Sequence, residues 1–362
     1  MTPDIQQQKI GLKALLSATA LAGLALHPLG AATISSDTDG NWDAGSSWQG
    51  GAVPGSGDNA QIVGGDEITV QSAGNQANLV HVGESGASGT LTIDSGDLTN
   101  SQMNVGRNDP GEDGRVNVNG GILTIDGPFR ISQVGQSGGL LGEVVQTGGT
   151  VNANSDTTFS QFNNGLSNTG LYSISGGTAN LGELIFFSAT NNNGTVGTVD
   201  NTFRVTGDAG TINTSGVGYR NQGGTGFTRD DTTSSVTFDF IFSSSGVSTI
   251  DALGSTIDLN IDAAYGGINS TNNLTLSVNL NNLSIFSDES FLLFDASGGG
   301  TIAGTFKTED LIFDGNPNIT DADVRYEDDQ IFLDVTAIPE PNVAALVLGG
   351  LGLLLASRRR RR

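Results

Sequence analysis

Between residues 80 and 190 the chain repeats itself imperfectly. "VHVGESGASGTLTIDSGDLT" is followed by "MNVGRNDPGEDGRVNVNGGILTIDG", then by "SQVGQSGGLLGEVVQTGGTVNANS" and "NTGLYSISGGTANLGELIFFS". Val-Gly pairs end at Gly83, Gly106 and Gly135, and Gly or Gly-Gly turns fall at Gly96, Gly120, Gly148 and Gly176. Between them apolar residues alternate with polar ones: Leu91 and Ile93, Val116 and Val118, Tyr172 and Ile174. Period-two alternation with a turn in every cycle is the pattern of strands with one buried face. A unit this short cannot bury that face alone and must stack on its neighbours. The pattern therefore predicts an all-β chain built as a parallel β-helix or solenoid of Gly-rich repeats. An antiparallel β-sandwich is the alternative that the same alternation permits. Corner glycines are expected to supply positive φ. The runs "NSDTTFSQFNNGLSNTG" and "NNNGTVGT" read as outward loops, and stacked asparagines are expected to form ladders at the turns.

Composition supports this reading and closes off others. There are 54 glycines in 362 residues, but only 8 prolines and no Gly-X-Y period, which excludes collagen. With no cysteine, disulfides, thiolate nucleophiles and zinc-thiolate sites are impossible. Setting aside Asp4, Lys9, Lys13 and five terminal arginines leaves 8 basic residues against 37 acidic ones, a body charge near −29. Such a body repels nucleic acid and attracts cations. Nucleic acid is not an expected partner. Weak, collective binding of Ca2+ is compatible with the acidity, and no other cofactor is expected.

Five segments follow from the pattern. Residues 1–32 carry Lys9 and Lys13, an apolar run of signal-peptide length and the small residues Gly30 and Ala32, and read as a signal helix removed by signal peptidase. Residues 33–65 hold both tryptophans, Trp42 and Trp48, and read as a capping segment for an open solenoid end. The same pair offers a second reading, a platform for carbohydrate contact. Residues 66–230 hold the repeats. Residues 231–337, with cleaner strands such as "SSVTFDFIF", form either a C-terminal β module or a continuation of the solenoid.

Residues 338–362 close the chain with the triplet Pro339, Glu340 and Pro341, an apolar stretch over 343–356, and the cluster Arg358, Arg359, Arg360, Arg361 and Arg362. As a helix the apolar stretch rises about 21 Å against a hydrocarbon core of roughly 30 Å. Snorkelling arginines extend its reach and set a cytoplasmic stop-transfer end. This three-part tail resembles the PEP-CTERM sorting signal of Gram-negative bacteria. The resemblance implies a transmembrane helix that holds the membrane transiently, processing by an exosortase, and a place at the cell surface or in an extracellular polysaccharide matrix, in biofilm or floc. "GNWDAGSSWQGGAVPGSGDNAQIVGG" and the Phe-rich C-terminal strands are similar to autotransporter-like passenger bodies, a looser likeness that spans most of residues 40–335.

Catalytic raw material is scarce. Once the leader is removed, His81 is the single histidine, and it sits in a strand-like stretch that favours packing over catalysis. Residues 135–139 match G-x-S-x-G formally, but no helix pattern and no histidine follow. Arg107, Arg115, Arg130, Arg204, Arg220, Arg229, Arg325 and Lys307 are scattered, with no visible cluster for a polysaccharide lyase. "DTDGNWD" alternates oxygen ligands but departs from the EF-hand spacing, so no specific metal site is assigned. The expectation is a non-enzymatic, exported structural or interaction protein whose partner is extracellular polysaccharide. A carbohydrate-binding adhesin using Tyr172, Phe186, Phe187 and Tyr219 is the alternative, and a lyase is the weaker one.

Overall fold

The computed structural model describes residues 31–108, 112–134, 140–161, 167–187, 190–192, 195–196, 198–220, 227–229, 234–259 and 273–338. They are nearly all β, arranged as three parallel ladders in a solenoid-like column. The first face is a ten-stranded sheet in strict sequence order, from Gly40–Asn41 through Glu67–Val70, Gly89–Ile93, Gly114–Val118, Leu140–Gln146, Asn168–Ile174, Val199–Thr206, Ser234–Ile241 and Asn273–Asn279 to Thr308–Ile312. The second face holds Ile122–Ile125, Thr150–Ala153, Gly177–Leu181, Gly210–Thr214, Ile250–Asp251 and Glu289–Asp295. The third holds Asn59–Ile62, Phe129–Val134, Thr157–Phe159, Leu184–Phe187, Val217–Arg220 and Ile257–Asp258. Two long strands, Asn75–Val82 and Asp97–Asn108, run along both the second and third faces and join them into one sheet.

The parallel pairing decides against the sandwich, whose strands would pair antiparallel. Register steps on the first face vary between 23 residues (Glu67 on Thr90) and 38 (Ser235 on Asn273). The ladder of the first face crosses residue 230 without a break, since Val199–Thr206 pairs with Ser234–Ile241 over eight residues. Inward positions form one continuous core, including Leu91, Val116, Val144, Tyr172, Phe203 and Phe238. Tyr172 keeps its hydroxyl in that core by donating to Gln146 Oε1 at 2.7 Å, and burial pushes its pKa up.

Glycine has two separate uses at the corners. Gly121, Gly149 and Gly177 have φ of 61°, 61° and 82°, as expected of turn glycines. Gly120, Gly148 and Gly176 instead lie against the coil before them: an added Cβ would fall 2.2 to 2.6 Å from a backbone oxygen. A further row of glycines, Gly89, Gly114, Gly142 and Gly170, stacks in register inside the first face. The Val-Gly anchor at Gly135 is corrected. Ile131 pairs with Val105, so Ser132, at φ 61°, is the equivalent of Gly106, and residue 135 lies outside the described residues.

At the N-terminal end, Thr33–Ser35 and Gly40–Asn41 are the first strands of their sheets, and two 3-10 turns, Gly45–Ser47 and Gln49–Gly51, follow. At the other end the parallel rule stops. Gln330–Ala337 pairs antiparallel with both Glu289–Asp295 and Ile319–Tyr326. The signal helix and the tail helix expected from the sequence, with the sorting triplet and arginine cluster, lie outside the described residues. No helix among the described residues is long and apolar enough to cross a membrane.

Candidate functional site

Two arrangements of polar side chains stand out on the column. On the second face, outward residues alternate with core residues, so each rung presents two side chains to solvent. Register places Thr150, Thr178 and Thr211 in one row, and Asn152, Asn180 and Asn213 in the next. Rungs are about 4.8 Å apart, and side chains two residues apart are roughly 6.6 Å apart, so the rows form a two-dimensional grid. The asparagines tie neighbouring coils together: Asn180 Nδ2 donates to Asn152 Oδ1 and Asn213 Nδ2 to Asn180 Oδ1, both at 2.8 Å. Asparagine ladders therefore occur, but on an open strand face rather than at the turns. The rung before adds Ile122 and Thr124, and acids bound the neutral stretch, Asp97 at one end and Asp251 at the other. The signal for this grid was present in the sequence as Gly-Thr-x-Asn in "GGTVNA", "GGTANL" and "AGTINT".

The second arrangement lies on the third face, where register aligns Gln61, His81, Asn104 and Arg130. Asn104 Nδ2 lies 3.2 Å from His81 Nδ1 and its Oδ1 accepts from Arg130 at 3.3 Å. Arg107 lies 3.1 Å from His81 Nε2 and pairs with Glu84 at 2.6 Å, while Gln61 also donates to Glu84. Sequence spacing showed no basic cluster, and the parallel register brings Arg107 and Arg130 together around the single histidine of the body. His81 is only 3% exposed and Glu84 7%. Burial first, then the charges of Arg107 and Arg130, hold the His81 pKa down to about 3. Glu84, 3.4 Å from Nδ1, favours the charged ring, but its charge is already matched by Arg107.

The sign of the pH effect follows. The unfolded chain protonates His81 below about 6.5 while the folded chain does not, so stability present above that pH is lost as pH falls toward 3. Between pH 6.5 and 4.5 the loss from this residue is about 1–3 kcal/mol. A His81→Gln chain is expected to show a correspondingly shallower drop in urea-denaturation midpoint over that range. Parallel curves for the two chains would refute the assignment.

The sequence candidates fall as follows. Trp42 and Trp48 are each 1% exposed, pack edge to face with ring centroids 5.0 Å apart, and are joined by Trp48 Nε1 donating to Trp42 O at 2.7 Å. Neither ring presents a face to solvent, so the carbohydrate platform is corrected to core packing at the N-terminal end. Tyr172, Phe186 and Phe187 are buried as well, and Tyr219 packs against the core beside Phe186. A shallow depression of about 410 Å³ is lined by Asp113, Leu141, Ser167, Asn168, Thr169, Thr198 and Asp200. The backbone positions of its two acids stand three rungs apart, about 14 Å, which does not favour a shared ion or a glycosidase pair. Asp113 already accepts from the Leu141 amide at 2.8 Å. Among the described residues no group of three or more metal-ligating side chains occurs. No family model, curated protein or solved structure matches this chain.

Proposed function

We propose that this chain is an exported structural and interaction protein of the cell surface or extracellular polysaccharide matrix. In this reading the column is a parallel β-helix that leaves the cell behind its signal helix. It pauses in the membrane on the helix within residues 338–362, and an exosortase processes it at the Pro339-Glu340-Pro341 triplet. One observation supports the non-enzymatic part: among the described residues the polar groups are spread along the outer faces instead of converging in a deep cleft. The cluster that a lyase would need, Arg107 and Arg130 with Glu84 and His81, has its histidine and carboxylate sealed from solvent. The adhesin alternative loses its aromatic groove but gains the neutral grid of the second face.

The test is intact mass and cell fractionation of the native protein, with and without the exosortase. The expected product lacks the segment after Pro341 and leaves the membrane fraction only when the exosortase is present. A full-length chain held in the membrane in both strains would overturn the sorting reading.

A further inference from the structure

We infer that the grid of Thr150, Thr178, Thr211, Asn152, Asn180 and Asn213 on the second face is a binding surface for a neutral, hydroxyl-rich polysaccharide chain. The inference rests on the matrix reading above and names the face and the class of glycan involved.

Four observations converge on this face. The first is access. From Gly114 to Arg220, the turns that enter and leave the second face are two or three residues long, as between Val118 and Ile122 or between Ala153 and Thr157. Longer chain segments fall at the remaining corner, between the third face and the next first-face strand, as between Phe159 and Asn168 or Arg220 and Ser234. The connections that flank the second face are thus too short to fold back over the grid.

The second observation is charge. The body carries a large excess of acids, yet from Ile122 and Thr124 to Thr211 and Asn213 the grid has no charged side chain. Asp97 and Asp251 bound it, and Asp295 follows Asp251 in register. An anionic glycan would meet repulsion at both ends with no cation between them, whereas a neutral one would meet none. On the first face, by contrast, the row Thr202, Thr237 and Thr275 runs beside the ion pair of Arg204 with Asp239, 2.7 Å apart.

The third is hydrogen-bonding capacity. Within the ladder Asn180 uses one N–H and its oxygen, Asn152 only its oxygen and Asn213 only one N–H, so each amide keeps at least one N–H for a ligand. The threonine hydroxyls of this row make no hydrogen bond to another described residue, so each offers a donor and acceptor outward. Being β-branched and held in strands, they are fixed before a ligand arrives, which lowers the ordering cost of binding. The fourth is period. The grid repeats once per rung, and a linear polysaccharide laid along the column advances by close to one rung per sugar, so the same contact recurs down the chain. Weak contacts repeated in register gain strength by avidity.

The test is electrophoresis of the secreted chain in native gels containing hydroxyethyl cellulose or galactomannan as neutral glycans, or alginate as an anionic one. Retardation is expected in at least one neutral gel and not in alginate. The triple variant Thr150→Val, Thr178→Val, Thr211→Val keeps side-chain shape and strand preference, and is expected to weaken retention at least tenfold. Thr202→Val, Thr237→Val, Thr275→Val on the first face is expected to leave retention unchanged. Should the triple variant not fold, the single change Thr178→Arg, which places bulk and charge at the middle of the grid, is expected to give the same loss. Equal retardation by alginate, no retardation of the parent chain in any gel, or full retention by the second-face variants would each overturn the inference. Shaping of growing ice crystals without retention by any glycan would reassign the grid to a water lattice, and also overturn it. A chain that is sorted and processed but passes unretarded refutes the glycan surface alone. One that is retarded but stays unprocessed in the membrane refutes the sorting reading alone.

Discussion

Replacing Phe238 by alanine is expected to cost about 3–5 kcal/mol, the usual penalty for emptying a fully buried phenylalanine site. Its ring is where the three ladders meet. Phe186 from the third face lies 5.5 Å away between centroids, Phe294 from the second 5.3 Å, and Phe203 on the adjacent first-face strand 6.2 Å. Phe306, which leads into the last first-face strand, adds a contact at 5.9 Å. Several of these pairs are edge-to-face, the arrangement that aromatic quadrupoles favour. In a column where each coil touches only those within about two rungs of it, the damage should stay local. Hydrogen exchange is therefore expected to accelerate from Val199–Thr206 to Thr308–Ile312, while Gly89–Ile93 and Gly114–Val118 keep their protection. Uniform acceleration along the whole column, or none, would show that the coils are not coupled in this way.

Gly114→Ala is expected to destabilise the N-terminal coils by about 3 kcal/mol, the upper end of what overpacking costs. The new methyl would sit 2.1 Å from Val82 O and 2.2 Å from the Gly106 amide nitrogen. Both neighbours are backbone, so no side chain can rotate out of the way. The comparison is Gly55→Ala, where the nearest atom, Asp58 Oδ2, is 3.6 Å away and the expected change is within about 0.5 kcal/mol. Denaturant midpoints of the two variants would separate them, and equal midpoints would falsify the close-packed account of the glycine row.

The alternation of Leu91, Ile93, Val116 and Val118 was enough to read strands and stacking, because burial on one face leaves a direct mark on sequence. The three-ladder arrangement was not legible, since alternation says which residues turn inward but not which coil they meet. The Val-Gly pattern points to Gly135, whereas the register accepts Ser132 in a left-handed conformation and lets the sequence break its own motif. Trp42 and Trp48 could be placed near an end but not inside or outside it. The cluster of Arg107 and Arg130 around His81 was invisible because partners one rung apart are more than twenty residues apart in sequence. The Thr-x-Asn repeat stands after each of three Gly turns, but alternation marks the buried positions and leaves a pattern carried by the outward ones without a physical signal of its own.

The antiparallel hairpin at the C-terminal end has a consequence for growth. Parallel ladders can be extended by any strand that offers the right edge, which is how such columns fuse into fibrils. Here Gln330–Ala337 occupies the edge of Glu289–Asp295 in the opposite direction, and the last first-face strand carries Glu309 and Asp310. Of the three ladders at this end, the second-face edge is already paired and the first-face edge bears like charge toward a second acidic copy. The hairpin works as a terminator of the second-face ladder, turning a continuing parallel edge into a closed antiparallel one.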